Sequence, residues 1–303
     1  MNYKNSMKLL TSNFSLVWKQ LAYTIVRLAI IFGLVILVSN PIVKLLVENG
    51  FAEKLTNLWQ IIYTDFSQFF VELRQVILSF IDIISTNISS VWLSVVLFFF
   101  VTLFVNSLLT SMGKFALTSI AHSSYTSLTK TGYCHSMITN FGKMMNYSLA
   151  KFVLDIPFTV FKILFIAIYC SALNNFILAI VGISIMIILY TITYALQISM
   201  YNSVAIEVLS NGTNPFKAIF KSYKSIKYFM RVFSNAIVVV LTIIVTNIII
   251  GFFTVGAGLL LTVPASMVLV VTFELVSYYG GVGQRYYLSP TIIVDSSTEN
   301  LNK

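Results

Sequence analysis

Apolar residues fill six stretches of this chain, at roughly 21–39, 91–112, 153–172, 176–199, 235–255 and 258–279. Each is close to the ~20 residues that a helix needs to cross bilayer hydrocarbon. Between them the pattern changes to a 3–4 rhythm. Phe216, Phe220, Tyr223, Ile226, Met230 and Phe233 share one face of a helix predicted over Pro215–Phe233. Lys217, Lys221, Lys224, Lys227 and Arg231 step along another face, the signature of a basic amphipathic helix at a membrane surface. Weaker versions over Lys8–Leu21 and Met137–Phe152 precede the first and third stretches. The order surface helix, span, span thus recurs three times, with local echoes such as Asn13-Phe14-Ser15 against Asn140-Phe141-Gly142. An insertion follows the first span. Over 52–85, Leu55, Leu58, Trp59, Ile62, Phe66, Phe69, Leu73, Val76, Phe80 and Ile83 predict one long amphipathic helix.

The expected fold is therefore an all-α polytopic membrane protein, with six transmembrane helices as three hairpins. A single integral membrane domain covers 1–283, with the amphipathic insertion at about 41–90, and a short tail covers 284–303. Composition agrees: 58% of residues are hydrophobic, 10% are charged and the mean hydropathy is +0.90. A soluble domain carries about a quarter charged residues.

The net charge of +9 raises nucleic-acid binding, but its distribution argues for topology instead. Lys4, Lys8 and Lys19 precede the first span without an acid, and the loop at 40–90 is net acidic. The loops at 113–152 and 200–234 are again basic. This alternation places both termini in the cytoplasm by the positive-inside rule. Anionic lipid headgroups on that side are the expected partners of Lys217, Lys221, Lys224, Lys227 and Arg231; nucleic acid is not. Segments 52–85 and 214–233 are the candidate protein-docking surfaces.

Enzyme signatures are absent: no zinc-protease helix motif, nucleophile elbow or phosphate loop occurs. Cys134 beside His135 is too little for a metal site, and no catalytic or cofactor-binding residue is assigned. The informative polar residues are charges within or beside the apolar runs. Arg27 can snorkel to headgroups. Asp155, ahead of Pro157, fits a helix start. Lys162 and Glu274 lie deeper, where a charge costs at least ~2.5–3.5 kcal/mol. A Lys162–Glu274 contact, with Asp155 nearby, would be either a structural lock or part of a polar pathway.

Six spans in three repeats resemble a mitochondrial carrier, but Pro157-x-Thr159-x-x-Lys162 lacks that family's acid and span five has no proline. The basic, aromatic helix before a hairpin, with the ending Tyr278-Tyr279-Gly-Gly-Val-Gly-Gln-Arg285-Tyr286-Tyr287, is similar to bacterial six-span membrane proteins of unknown function. These resemble the membrane domain attached to some glycerophosphodiester phosphodiesterases. That resemblance implies a bacterial cytoplasmic-membrane protein without an enzymatic activity of its own. The expected role is to organise or assist partners or lipids at the inner surface, and the alternative is a small-solute or ion transporter. The topology has a direct test: a cysteine at position 65 is expected to label from the side opposite to one at 224, and labelling from one side would overturn it.

Overall fold

The computed structural model describes residues 2–222 and 225–295, without the side chains of residues 221 and 222. Six helical stretches are long and apolar enough to cross a bilayer: Ser15–Glu48, Ile88–Ser127, Phe141–Ala172, Phe176–Asn211, Ile226–Phe253 and Leu259–Val282. The architecture is that of an all-α polytopic membrane protein. In chain order the helices are α1 (Asn2–Ser12), α2 (Ser15–Glu48), α3 (Phe51–Thr64), α4 (Phe66–Thr86) and α5 (Ile88–Phe99). A π-helical segment, Phe100–Val105, leads into α6 (Asn106–Ser127), α7 (Tyr133–Thr139), α8 (Phe141–Ala172) and α9 (Phe176–Tyr201). Then come α10 (Val204–Asn211), α11 (Pro215–Ser222), α12 (Ile226–Phe253) and α13 (Leu259–Val282).

The chain then folds an antiparallel hairpin of β1 (Arg285–Ser289) and β2 (Ile292–Asp295), where the sequence suggests only a tail. Gly283 ends α13 in the left-handed region, at φ 72°, and so turns the chain into β1. Tyr286 and Leu288 point inward from β1, and polar Arg285 meets Asp295 across the pair.

The chain divides into two compact units. The first comprises residues 1–27, 107–155 and 191–303. Its centre is α13, in which every residue from Val268 to Ser277 is buried. A helix enclosed on all sides has no polar face to spare, and this one is apolar nearly all round. Helix α1 packs on it: Leu9 joins Leu16, Val17, Val271, Leu275 and Tyr279 in one core. Asn2 donates to Ser277 Oγ (3.2 Å), Asn5 to the Tyr286 hydroxyl (2.9 Å) and Ser12 to the Leu288 carbonyl (3.2 Å).

Each predicted pre-span helix is interrupted. The segment Lys8–Leu21 breaks between α1 and α2, and Met137–Phe152 breaks at Asn140. The first two breaks share one construction. Asn13 Nδ2 bonds the Leu9 carbonyl (3.2 Å) and Ser12 Oγ (3.1 Å); Asn140 Nδ2 bonds the Ser136 carbonyl (3.1 Å) and Thr139 Oγ1 (3.3 Å). A short amide that satisfies its own turn's carbonyl competes with helix continuation. The segment Pro215–Phe233 splits differently, into α11 and the foot of α12, where Ser225 Oγ caps the Tyr228 N–H (3.1 Å).

The second unit comprises residues 28–106 and 156–190. The long helix predicted over 52–85 is two helices in this unit. Asp65 leaves helical geometry (φ −149°, ψ 85°), and its carboxylate accepts from the Ser67 hydroxyl (2.6 Å) and N–H (3.0 Å). Those bonds cap α4 and hold the Asp65 carboxyl below its ordinary range. With the rod broken there, α3 folds back along α4, placing Phe51 against Phe80 and Lys54 on Ser79. Phe70 of α4 then packs with Leu173 and Ala179 at the α8–α9 turn.

Because Leu9 is fully buried, Leu9→Ala is expected to lower stability by about 2–5 kcal/mol. The measurement is the thermal unfolding temperature in detergent micelles. Ile138→Ala, on an exposed face of α7, is the control expected to leave it unchanged.

Candidate functional site

The deepest charge of the first unit is Glu274, on the enclosed α13. Its partner is Lys114 of α6, with Nζ 2.5 Å from Oε1, in place of the Lys162 that the sequence suggests. The two side chains are 12% and 4% exposed, so the pair is effectively out of water. A second pair stands beside it. Lys151 bonds Asp155 one turn along α8, and Gln197 of α9 donates to the other carboxylate oxygen (2.6 Å). The Lys151 ammonium also lies 5.0 Å from the centre of the Tyr201 ring, whose hydroxyl donates to the Leu154 carbonyl (2.9 Å). Lys151 is within electrostatic reach of both Lys114 and Glu274. Two ammonium and two carboxylate groups therefore neutralise one another within one cluster.

Asp155 does not start a helix as expected. Helix α8 runs unbroken from Phe141 to Ala172, and Pro157 is accommodated inside it. The charge is answered by Lys151 and Gln197 rather than by a helix dipole. Lys162 lies in the other unit, where its ammonium sits 5.6 Å from the Tyr190 ring centre.

Register fixes the depth of the cluster. Lys114 lies just beyond the apolar run of the second span, and Lys151 just before that of the third. Their partners Glu274 and Asp155 are therefore held where those apolar runs end. The second span makes room for this: its helical stretch of 40 residues rises ~60 Å, about twice the hydrocarbon thickness. The space beside Lys151 is small, a cavity of about 10 Å³ lined by Tyr147, Leu154, Tyr201, Val204 and Pro215. That is about the least that holds one water. The Tyr147 hydroxyl, fully buried, has no hydrogen-bond partner.

Another polar knot ties α2 to α6 and α7. Tyr133 donates to the Gly113 carbonyl (2.7 Å) and to Gln20 Oε1 (3.0 Å), and burial pushes its phenol up. Tyr23 stacks on Tyr133 with ring centres 5.2 Å apart and donates to the Leu109 carbonyl (2.5 Å). A Cβ on Gly113 would fall 2.2 Å from the Tyr23 ring, so glycine there permits the approach. Arg27 donates to Thr110 Oγ1 (2.7 Å), so the protein itself supplies a partner for its guanidinium.

The sequence flagged Glu274 and Asp155 but counted Lys114 and Lys151 only as loop charges. The available signals were the i, i+4 spacing of Lys151 and Asp155, and the position of Lys114 at the border of an apolar run. Of the basic stripe, Lys217, Lys227 and Arg231 are exposed; Lys224 and the side chain of Lys221 lie outside the described residues. His122 is bonded to the Tyr279 hydroxyl (2.8 Å), and Cys134 is exposed. Among the described residues no three His, Cys, Asp or Glu side chains converge as a metal site would require. No protein-family profile, curated protein or solved structure matches the chain.

A closed ion pair makes a distinctive prediction. Lys114→Met or Glu274→Leu alone should destabilise the protein by about 3–5 kcal/mol, since each leaves a buried charge uncompensated. The double variant should recover most of that loss. Thermal unfolding of the four proteins forms the cycle, and additive losses in the double variant would show that the pair is not the relevant unit.

Proposed function

We propose that this is a non-enzymatic protein of the bacterial cytoplasmic membrane, with both termini cytoplasmic, that organises or assists partners or lipids at the inner surface. In this reading the spans form three hairpins, each led by a basic helix on the cytoplasmic side. The carrying observation is the surface made by α11 and the foot of α12. Phe220 is 78% exposed and Ile226 84%, with Phe216 and Met230 also uncovered. Lys217, Lys227 and Arg231 are exposed along the same segment. Large apolar side chains interleaved with cations suit the headgroup boundary of an anionic membrane, where the rings enter the lipid and the cations meet phosphates. The same surface and the α3–α4 pair are the places for a protein partner. The likeness to six-span bacterial proteins and to phosphodiesterase membrane domains belongs to this proposal as well.

The transport alternative has less support. It would draw on Asp155, Lys162 and Glu274 as a polar path. Glu274 and Asp155 instead have their charges answered by Lys114, Lys151 and Gln197, beside a cavity of only about 10 Å³. These contacts favour a lock between helices. A lock keeps the helix feet in a fixed arrangement under the surface that meets lipid or partner.

The test replaces Lys217, Lys221, Lys224, Lys227 and Arg231 together with glutamine in the full chain. Each cation near an anionic surface contributes ~1 kcal/mol, so anionic lipid retained per protein after purification should fall several-fold. Co-purifying proteins should be lost with it. Unchanged lipid retention and unchanged partners would dismiss the proposal, and proton or ion flux in liposomes abolished by Glu274→Gln would favour transport.

A further inference from the structure

The second unit holds a cavity of about 620 Å³ between α2, α4 and α5. Ser39, Ile42 and Val43 form one wall, Phe80, Ile81, Ile84 and Ser85 the second, and Ile88, Val95, Phe98 and Phe99 the third. No charged side chain lines it. Its only polar side chains are two serines, of which Ser85 already donates to the Asp82 carbonyl (3.0 Å). Val43, Ile81 and Phe99 are each about half exposed, so the cavity is open along its rim rather than sealed.

We propose that this cavity is a binding site for one acyl chain of a membrane phospholipid. Size is the first argument. A dry apolar cavity of ~150 Å³ takes up benzene, so about four times that volume corresponds to a hydrocarbon of some 20 carbons. A docked helix, ~10–12 Å across with its side chains, would fit little more than one turn there. Chemistry is the second. Polar ligand atoms would lose their hydrogen bonds against these walls, whereas a methylene chain has none to lose. Location is the third. Ser39 closes the apolar run of the first span, and Val95 to Phe99 open that of the second. The cavity therefore lies where the apolar run of the first span ends and that of the second begins, where phospholipid chains are the surrounding solvent.

This site is independent of the inner-surface role proposed above and is tested separately. The full chain is reconstituted in phosphatidylcholine vesicles containing a small fraction of phosphatidylcholine with a diazirine on its acyl chain. After irradiation, label is mapped by peptide. Segments 80–88 and 95–99 should be labelled about tenfold above the lipid-facing segment 177–188, a difference of ~1.4 kcal/mol. Ile84→Trp or Val43→Trp, which fill the space from opposite walls, should abolish the enrichment, and Ile180→Trp on an exposed face should not. Uniform labelling of the wild-type chain would overturn the proposal without any variant. So would enrichment that survives both tryptophans in proteins that unfold at the wild-type temperature, or crosslinks at these positions to a second copy of the chain in place of lipid.

Discussion

A carboxylate within a helical run that has no exposed side has to bring its counter-charge with it. Glu274 lies within the unbroken buried run Val268 to Ser277, and its isolated burial as an anion would be far more costly than any packing gain from α13. The Lys114 ammonium removes that penalty only if α6 lies against α13 at one register. Two further contacts join the same helices: Tyr125 to Thr272 (3.0 Å) and His122 to Tyr279 (2.8 Å). Tyr279 in turn packs at a tilt against Tyr286 of the β-hairpin, whose hydroxyl accepts from Asn5 of α1. Polar contacts thus link α13 both to α6 and, through the β-hairpin, to the chain's first helix.

Elements whose identity depends on hydrocarbon were legible in the sequence. Twenty apolar residues have few alternatives to a helix, and six such helices are present. Element ends were less legible. The amphipathic rhythm over 52–85 continues through Asp65, and the rhythm over Lys8–Leu21 continues through Asn13. At both positions one short polar side chain stops the helix by bonding local backbone, and periodicity carries no information about it. The β-hairpin was missed for a related reason: Tyr286 and Leu288 form too short an alternation to register beside a glycine-rich helix end.

The charges show the same division between what pattern reveals and what partners decide. Counting lysines by loop gives an expected side of the membrane but treats all lysines as equivalent. Lys19 donates to the Thr131 carbonyl (3.0 Å) and Lys143 to the Leu209 carbonyl (2.7 Å), while Lys114 and Lys151 neutralise carboxylates. Lys217, Lys227 and Arg231 remain uncovered. The basic set is thus two populations, one consumed in holding helix feet together and one presented outward. Only a partner's position separates them, because a lysine at an apolar border has the same composition in either role.

The placement of the buried charges also bears on what the helices can do. A transport path needs its ionisable groups to exchange partners, with water or substrate replacing protein at each step. Here both carboxylates are held by protein donors from two directions or at short range, in a cluster whose charges already cancel. Exchange would separate a pair in a medium where separation is strongly resisted. The α11 segment leaves large apolar side chains uncovered, and the cavity walled by α4 is open along its rim. A rigid polar lock with apolar contact surfaces elsewhere suits a protein that positions lipid or neighbours, because such work draws on fixed geometry and exposed area rather than on a moving charge.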